Sequence, residues 1–338
     1  MLSIFPWRRR ATLYLHFPCL DGVISGVLAT LYLEKTCGWK FKTFQPVNYH
    51  QQKEWPDTRL PRHSAVVDFL YHPQAEFWAD HHETSFLTDQ LRADFEARKD
   101  KSRSKDESRF KDASRFYDKQ SGSCASLLWR EIGGTLGPDP RLEEMVRWAE
   151  KIDSAAYDSV DEAFSSSHPA LVLSRSLATD ADQRYCEFLL TELRHASLEE
   201  VIRTDEVQKR FLRTQELNTL GLERVRQSIR LEGCVAVFEA SSQGVMMNRY
   251  SPYYFYPNAR YSIGITHSKH STKITAMRNP WLNFESFHLG EFMRKFGGGG
   301  HQRVGSVVLP AERSEEAGNI RQELLQNLNP VDSEKKNG

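Results

Sequence analysis

The hexapeptide Phe77-Trp78-Ala79-Asp80-His81-His82 constrains this chain more than any other stretch. Its apolar half, like the earlier run Ser64-Ala65-Val66-Val67-Asp68-Phe69, reads as a buried strand: short, apolar and rich in β-formers. A strand that ends in Asp-His-His brings a carboxylate and two imidazoles to one edge of a sheet. That donor set suits a divalent transition metal. If the two strands run parallel, Asp68 arrives at the same edge, where open α/β sheets collect their ligands. Taken alone, a His-His pair reads as an ordinary loop or core feature; other stretches change that.

The first of these is the opening. Thr12-Leu13-Tyr14-Leu15-His16 reads as a buried strand, Phe17-Pro18-Cys19-Leu20-Asp21-Gly22 as a tight turn, and residues 23–35 as a helix. Pro18 and Gly22 punctuate the turn, and Ser25, Gly26 and Ala29 let the helix lie close on a sheet. His16 and Asp21 then join Asp68 and Asp80-His81-His82 at one edge. With a second strand over 39–47, the order predicts an α/β fold: an N-terminal doubly wound, mostly parallel sheet with helices on both faces. A helix from Gly122, stopped by Gly133-Gly134, and a second over 141–151 lead to Asp153, a further carboxylate within reach of that edge.

Residues 98–119 break the pattern with three near-copies of one hexamer, Ser102-Arg-Ser-Lys-Asp-Glu107, Ser108-Arg-Phe-Lys-Asp-Ala113 and Ser114-Arg-Phe-Tyr-Asp-Lys119. Nine Lys/Arg against five Asp/Glu leave this insertion at +4. We read it as a solvated loop lengthened by duplication, the alternative being a basic flap near the active edge. Residues 161–231 are charged, with spaced apolar positions such as Leu189, Leu190, Leu193 and Phe211, and suit a helical connector. A smaller C-terminal α/β domain follows over 232–330, with strands at 234–238, 261–266, 273–278 and 304–309, and 331–338 as a disordered tail. Its helix, 287–296, runs into Gly297-Gly298-Gly299-Gly300-His301. Four consecutive glycines carry a high entropy cost, so we read a loop whose bare N–H groups approach an anion, with His301 beside it.

Composition narrows the partners. The chain has 338 residues, 39% of them hydrophobic, enough for two cores. Lys+Arg and Asp+Glu are both 45, so any nucleic-acid contact is local rather than a broad basic field. The five cysteines, at 19, 37, 124, 186 and 234, are odd in number and form no CxxC pair, which points to a reducing compartment. No apolar run approaches a membrane span, and Arg8-Arg9-Arg10 follows the apolar start, the reverse of a signal peptide. A soluble, cytoplasmic protein is expected.

Gathered at one edge, His16, Asp21, Asp68, His81 and Asp153 supply two imidazoles and three carboxylates. That many negative groups need cations to neutralise them. One metal leaves carboxylates over, whereas a bridging Asp68 lets the set serve two ions. Two metals about 3.5–4 Å apart are the usual arrangement for hydrolysing phosphate esters. Mixed His/Asp ligation fits two Mn²⁺ ions best and admits Mg²⁺, Co²⁺ or Zn²⁺. The second domain then contributes phosphate contacts through 297–300, His301 and Arg278.

Taken together, Asp80-His81-His82, Asp68 upstream, His16 with Asp21-Gly22, Asp153 and the C-terminal Gly-Gly-Gly-Gly-His resemble the DHH phosphoesterase superfamily with its DHH-associated C-terminal domain. The resemblance covers roughly 11–158 and 232–310. It implies hydrolysis of phosphodiester or phosphoanhydride bonds with Mn²⁺, in a family that includes single-strand exonucleases of the RecJ type, short-oligonucleotide nucleases, cyclic-dinucleotide phosphodiesterases and exopolyphosphatases. Carried over, His16 binds the first metal, Asp21, His81 and Asp153 the second, and Asp68 both. His82 faces the attacking water or the scissile phosphate, and Asp80 orients its neighbours. Arg278, Gly298, Gly299, Gly300 and His301 match positions that hold the far phosphate. Two departures stand out. The first of two aspartates in the family's opening motif is Cys19 here, which either ligates Zn²⁺ or Mn²⁺ or merely packs; packing is the expectation carried forward, and it leaves the first site weak. The family's Ala-x-Gly after the histidine is Val304-Gly305.

The expected activity is thus a Mn²⁺-dependent phosphodiesterase acting on short oligonucleotides or linear or cyclic dinucleotides. A neutral chain with a localised clamp suits such small anions better than long nucleic acid. The alternatives are an exopolyphosphatase or pyrophosphatase, and a phosphate-ligand sensor weakened at one metal. Tyr253-Tyr254-Phe255-Tyr256 either covers a base or forms an aromatic core strip. A homodimer is open, and no membrane partner is expected.

Overall fold

The computed structural model describes residues 9–101 and 114–329. It divides into two compact units: the chain up to Ala156 together with Ser166–Leu212, and Tyr157–Ser165 together with the described chain from Arg213.

In the first unit, period-2 apolar runs build a five-stranded sheet. Its strands are β1 (Arg9–His16), β2 (Trp39–Val47), β3 (Ser64–Val67), β4 (Phe77–Asp80) and β5 (Arg115–Tyr117), in the order β2-β1-β3-β4-β5. Every neighbouring pair is parallel. Parallel strands are buried on both faces, and the alternation shows it. Leu13, Leu15, Ala65, Val67, Phe77 and Ala79 enter one core, while Val66 and Trp78 enter another with Phe69, Tyr71 and Phe95. Helices α1 (Leu20–Cys37), α3 (Cys124–Leu136) and α4 (Pro140–Asp153) pack in the first core; α2 (Asp89–Lys101) supplies Phe95 to the second. This is the expected doubly wound arrangement.

The third hexamer copy is part of the sheet, not a solvated loop. Its residues 115–117 form β5, with Arg115, Phe116 and Tyr117 opposite Trp78, Ala79 and Asp80. Arg115 donates to the Ala75 carbonyl (2.6 Å), and Phe116 and Tyr117 pack against Phe77 and Trp78. The first two copies, 102–113, lie outside the described residues. Helix α3 also runs past the expected stop at Gly133-Gly134 and is capped instead by Gly137, at φ +89°. A glycine costs a helix only about 1 kcal/mol, less than the burial of Leu127, Leu128 and Ile132 supplies.

The stretch read as a connector contributes to the first core. Helices α6 (Pro169–Ser176), α7 (Gln183–Glu192) and α8 (Leu198–Val201) and the first third of α9 (Asp205–Ser228) supply Leu173, Tyr185, Leu189, Leu190, Leu198, Val207 and Phe211. Spaced leucines on charged helices fit a docked face as well as a connector. The short α5 (Val160–Phe164) belongs to the second unit.

That second unit contains a six-stranded sheet of β6 (Arg230–Glu232), β7 (Val235–Ser241), β8 (Tyr261–His267), β9 (Ser271–Arg278), β10 (Gly299–Gly300) and β11 (Val304–Pro310), ordered β10-β11-β9-β8-β7-β6. Only β7 and β8 pair in parallel. Helices α11 (Leu289–Arg294) and α12 (Glu316–Leu328) cover one face through Phe292, Met293, Ile320 and Leu324, and α10 (Ser251–Phe255) carries the aromatic run. Tyr253 of that run is fully buried, its hydroxyl donating to the Met277 carbonyl (2.6 Å), whereas Tyr254 is exposed. Among the described residues no helix is long and apolar enough to cross a membrane.

Candidate metal centre

Because β1, β3 and β4 are parallel, the residues at and just beyond their carboxyl ends fall on one edge of the sheet. His16 closes β1, Asp68 follows β3, Asp80 closes β4 and His81-His82 follow it. The turn after β1 starts α1 at Leu20, which sets Asp21 in its first turn. Asp153 is the last residue of α4. All of these lie in the first unit. Asp68 adopts φ +56° while its N–H donates to the Ala79 carbonyl (2.8 Å). A non-glycine residue held in the left-handed region is uncommon outside such constrained sites. Gly22 is required by close approach, since a Cβ there would stand 2.0 Å from the His16 carbonyl oxygen.

The polar atoms converge without pairing. His81 Nδ1 donates to the Ser121 carbonyl (3.1 Å), which fixes the ring so that Nε2 turns into the cluster. That nitrogen faces Asp153 Oδ2 at 3.4 Å, Asp21 Oδ2 at 3.7 Å and Asp68 Oδ1 at 3.8 Å. His16 Nδ1 faces Asp68 Oδ2 at 3.4 Å, and His82 Nδ1 is 3.7 Å from Asp68 Oδ1. His16 Nδ1, His81 Nε2 and both Asp68 oxygens are buried and lack any hydrogen bond. Each such atom costs about 1–3 kcal/mol. Three carboxylates crowded together repel one another, and cations among them would turn the repulsion into ligation. The donor atoms form three overlapping sets, each within 4.8 Å: His16 with Cys19 and Asp68, Asp68 with His81 and His82, and Asp21 with His81 and Asp153. Asp68 is common to the first two sets and His81 to the last two, so these residues could hold divalent metal.

Neighbouring groups fix this set. Asp21 accepts from the N–H groups of Cys124 (2.7 Å) and Ala125 (2.8 Å), at the positive N-terminus of α3. Fully buried Asp80 accepts from His82 Nδ1 (2.8 Å), the His81 N–H (2.8 Å) and Ser85 Oγ (2.6 Å), so it orients both histidines. Burial, with His82 nearby, pulls the His16 imidazole down to about 4, leaving it neutral at physiological pH and ready to ligate. Burial lowers His82 too, but its hydrogen bond to Asp80 and the surrounding carboxylates outweigh that and hold it above the usual histidine range. Burial and the Asp21 carboxylate push Asp153 up to about 6 and Asp68 well above the ordinary range. Crowded, desolvated carboxylates behave this way in the absence of a positive partner.

Cys19 enters this cluster. Its Sγ belongs to the His16–Asp68 set and stands 4.0 Å from Asp153 Oδ1. The residues expected in the second unit are differently engaged. Buried Arg278 donates to the carbonyls of Asn279 (3.0 Å), Leu282 (2.7 Å) and Phe284 (2.8 Å) and lies over the Phe284 ring. The N–H groups of Gly297, Gly298 and His301 donate to the carbonyls of Arg294, Met293 and Val304, so they are not bare. Two of the four glycines have a packing reason: a Cβ on Gly298 or Gly300 would strike the backbone of β11, and one on Gly290 would strike Gly300. The His301 side chain is exposed.

Three site residues escaped the sequence reading. Tyr49 lies edge-on to His16 and His82, with ring centroids 5.1 and 5.9 Å away, and its buried hydroxyl has no hydrogen bond. Ser85 braces Asp80, and Ser121 sets the His81 tautomer. Ser85 follows Asp80 by five residues and had a weak local signal; Tyr49 and the Ser121 carbonyl had none.

No family model and no curated protein matches this sequence. Solved structures do. The chain is similar to the pGpG-specific phosphodiesterase PggH from Vibrio cholerae at 18% identity and a TM-score of 0.70, covering 95% of this chain and 99% of that one. It is also similar to RecJ from Thermus thermophilus, solved with Mg²⁺, at 13% identity and a TM-score of 0.50, covering 96% of this chain and 50% of RecJ. The chain shares the fold of these structures, in keeping with the DHH-type fold expected from the sequence. Within that fold, the edge built here from His16, Asp68, Asp80, His81 and His82 is where the sequence reading located the DHH motifs.

Proposed function

We propose that this protein is a metal-dependent phosphoesterase that hydrolyses phosphodiester bonds in short oligonucleotides or linear or cyclic dinucleotides, with Mn²⁺ as the working ion. One observation carries the reading: His81 Nε2 and both Asp68 oxygens are buried, without a hydrogen bond and gathered within reach of one another. In water-exposed sites such atoms find solvent; here bound cations would satisfy them. His16 and Asp68 would hold one ion, and Asp21, His81 and Asp153 the other, with Asp68 shared. Two bound cations supply a water of lowered pKa and neutralise charge on the phosphoryl oxygens.

The chain's own residues then do the rest. Asp80 holds His82 through Nδ1, which leaves Nε2 as the ring nitrogen for a phosphoryl oxygen or a leaving group. Asp21, braced by two backbone N–H groups, keeps its oxygens from swinging out of the cluster. The likeness in fold to a structure named as a pGpG phosphodiesterase supports a dinucleotide-sized substrate. The second unit, with exposed His301, serves recognition of the non-reacting part. Five free cysteines suit a reducing, cytoplasmic setting.

The test is a Mn²⁺ screen against a linear dinucleotide, a cyclic dinucleotide and polyphosphate, run with Asp68→Ala alongside. Metal-dependent release of mononucleotide, absent in Asp68→Ala, is expected. Cleavage of polyphosphate alone moves the substrate to phosphoanhydrides, and cleavage that survives chelation overturns the metal centre.

A further inference from the structure

Cys19 stands where α1 begins, yet its side chain does not cap the helix. Its sulfur is grouped within 4.8 Å of His16 and Asp68 ligand atoms. Those partners are the unsatisfied ones: His16 Nδ1 and both oxygens of Asp68, a residue 1% exposed, are buried with no hydrogen bond. A packing cysteine looks different in this same unit. Cys124 is fully buried, donates its S–H to the Ala79 carbonyl (3.3 Å) and sits in the apolar core. Cys19 is half-buried, and its Sγ approaches Asp153 Oδ1 at 4.0 Å.

Resting on the metal-centre reading above, we infer that Cys19 is the third protein ligand of the His16–Asp68 cation, bound as a thiolate. The S–H proton passes to water as the sulfur–metal bond forms, and Asp68 keeps its second oxygen for the neighbouring ion. A thiolate makes this half of the centre softer than its Asp21–His81–Asp153 half. Soft sulfur favours Zn²⁺ and Co²⁺ over Mg²⁺, so the two halves differ in preference and the centre accommodates an unlike pair of ions.

Anaerobic titration of the full-length protein with Co²⁺ tests this without relying on activity. Expected for the wild type are visible ligand-field bands plus a near-ultraviolet thiolate-to-Co²⁺ charge-transfer band. Cys19→Asp should keep the former and lose the latter, and Cys19→Ser, nearly isosteric, gives the same answer if Cys19→Asp folds poorly by circular dichroism. Cys37→Ser should retain both. The Zn²⁺ dissociation constant of Cys19→Asp should rise by about tenfold or more, at least the effect of losing an outer support of a metal ligand. Ligand-field bands without a charge-transfer band in the wild type, or a band that survives in both Cys19 variants, overturn the thiolate. Absence of any Co²⁺ absorption overturns the metal centre itself.

Discussion

Gly22→Ala is the substitution in which helix propensity and site geometry disagree most sharply. On propensity alone, alanine in the first turn of α1 gains about 1 kcal/mol over glycine. The structure opposes it: the new Cβ would lie 2.0 Å from the His16 carbonyl oxygen and 3.2 Å from Asp68 Oδ2. Restoring even a 3.0 Å separation requires a shift of about 1 Å, and the obstacle is backbone at the end of β1, not a flexible side chain. Overpacking of this kind costs about 1–3 kcal/mol, so the net effect is a loss of up to about 2 kcal/mol, read as a lower urea midpoint. The larger effect falls on function, because the shift moves His16 against Asp68. Misplacement by about 1 Å costs on the order of a hundredfold in rate, or about 2.7 kcal/mol. The assay is kcat on a linear dinucleotide with Mn²⁺ affinity by calorimetry. A Gly22→Ala protein as stable as the wild type, with unchanged kcat and affinity, would refute the close packing of turn and site.

Asp80→Asn should fold and bind metal yet lose about tenfold in kcat, because a charge-assisted hydrogen bond to His82 becomes a neutral one, a difference of about 1–1.5 kcal/mol; steady-state kinetics read it. Leu190→Ala, at a fully buried position, should destabilise the first unit by about 2–5 kcal/mol in urea denaturation, and a change under about 0.5 kcal/mol, the size of an ordinary surface substitution, would return 166–212 to a connector. His301→Ala should raise KM for a dinucleotide about ten- to a hundredfold with little change in kcat. Arg278→Ala should lower the thermal midpoint as well, since it removes three bonds to backbone carbonyls. Equal kcat losses for His301→Ala on a dinucleotide and on a minimal phosphodiester would place that histidine at the reacting centre.

The sheet edge was legible because its signal is local: three apolar runs each end in ligand-type residues, and parallel pairing brings such ends together. Boundaries such as Trp39–Val47 followed from the same alternation. Residues 166–212 were not legible, since a helix with spaced leucines looks alike whether it bridges or docks. Nor was the crowding at Gly298 and Gly300. Anion approach and backbone crowding both demand a missing Cβ, and the proximity of β11 to these two glycines is visible only in the fold. β5 was hidden inside a charged repeat whose third copy alone carries Phe116 and Tyr117 side by side. For Cys19, the sequence left ligand and packing open; its distance to His16 and Asp68 is a tertiary fact.

Asp68, which the proposed function shares between two cation sites, is the residue on which the proposed chemistry depends. Mn²⁺ stoichiometry on the intact chain, by calorimetry with elemental analysis of the dialysed protein, addresses this directly. The wild type should bind two ions per chain, Asp153→Ala one, and Asp68→Ala none tightly. A wild type that holds no Mn²⁺, or an Asp68→Ala protein that still holds two, would contradict it.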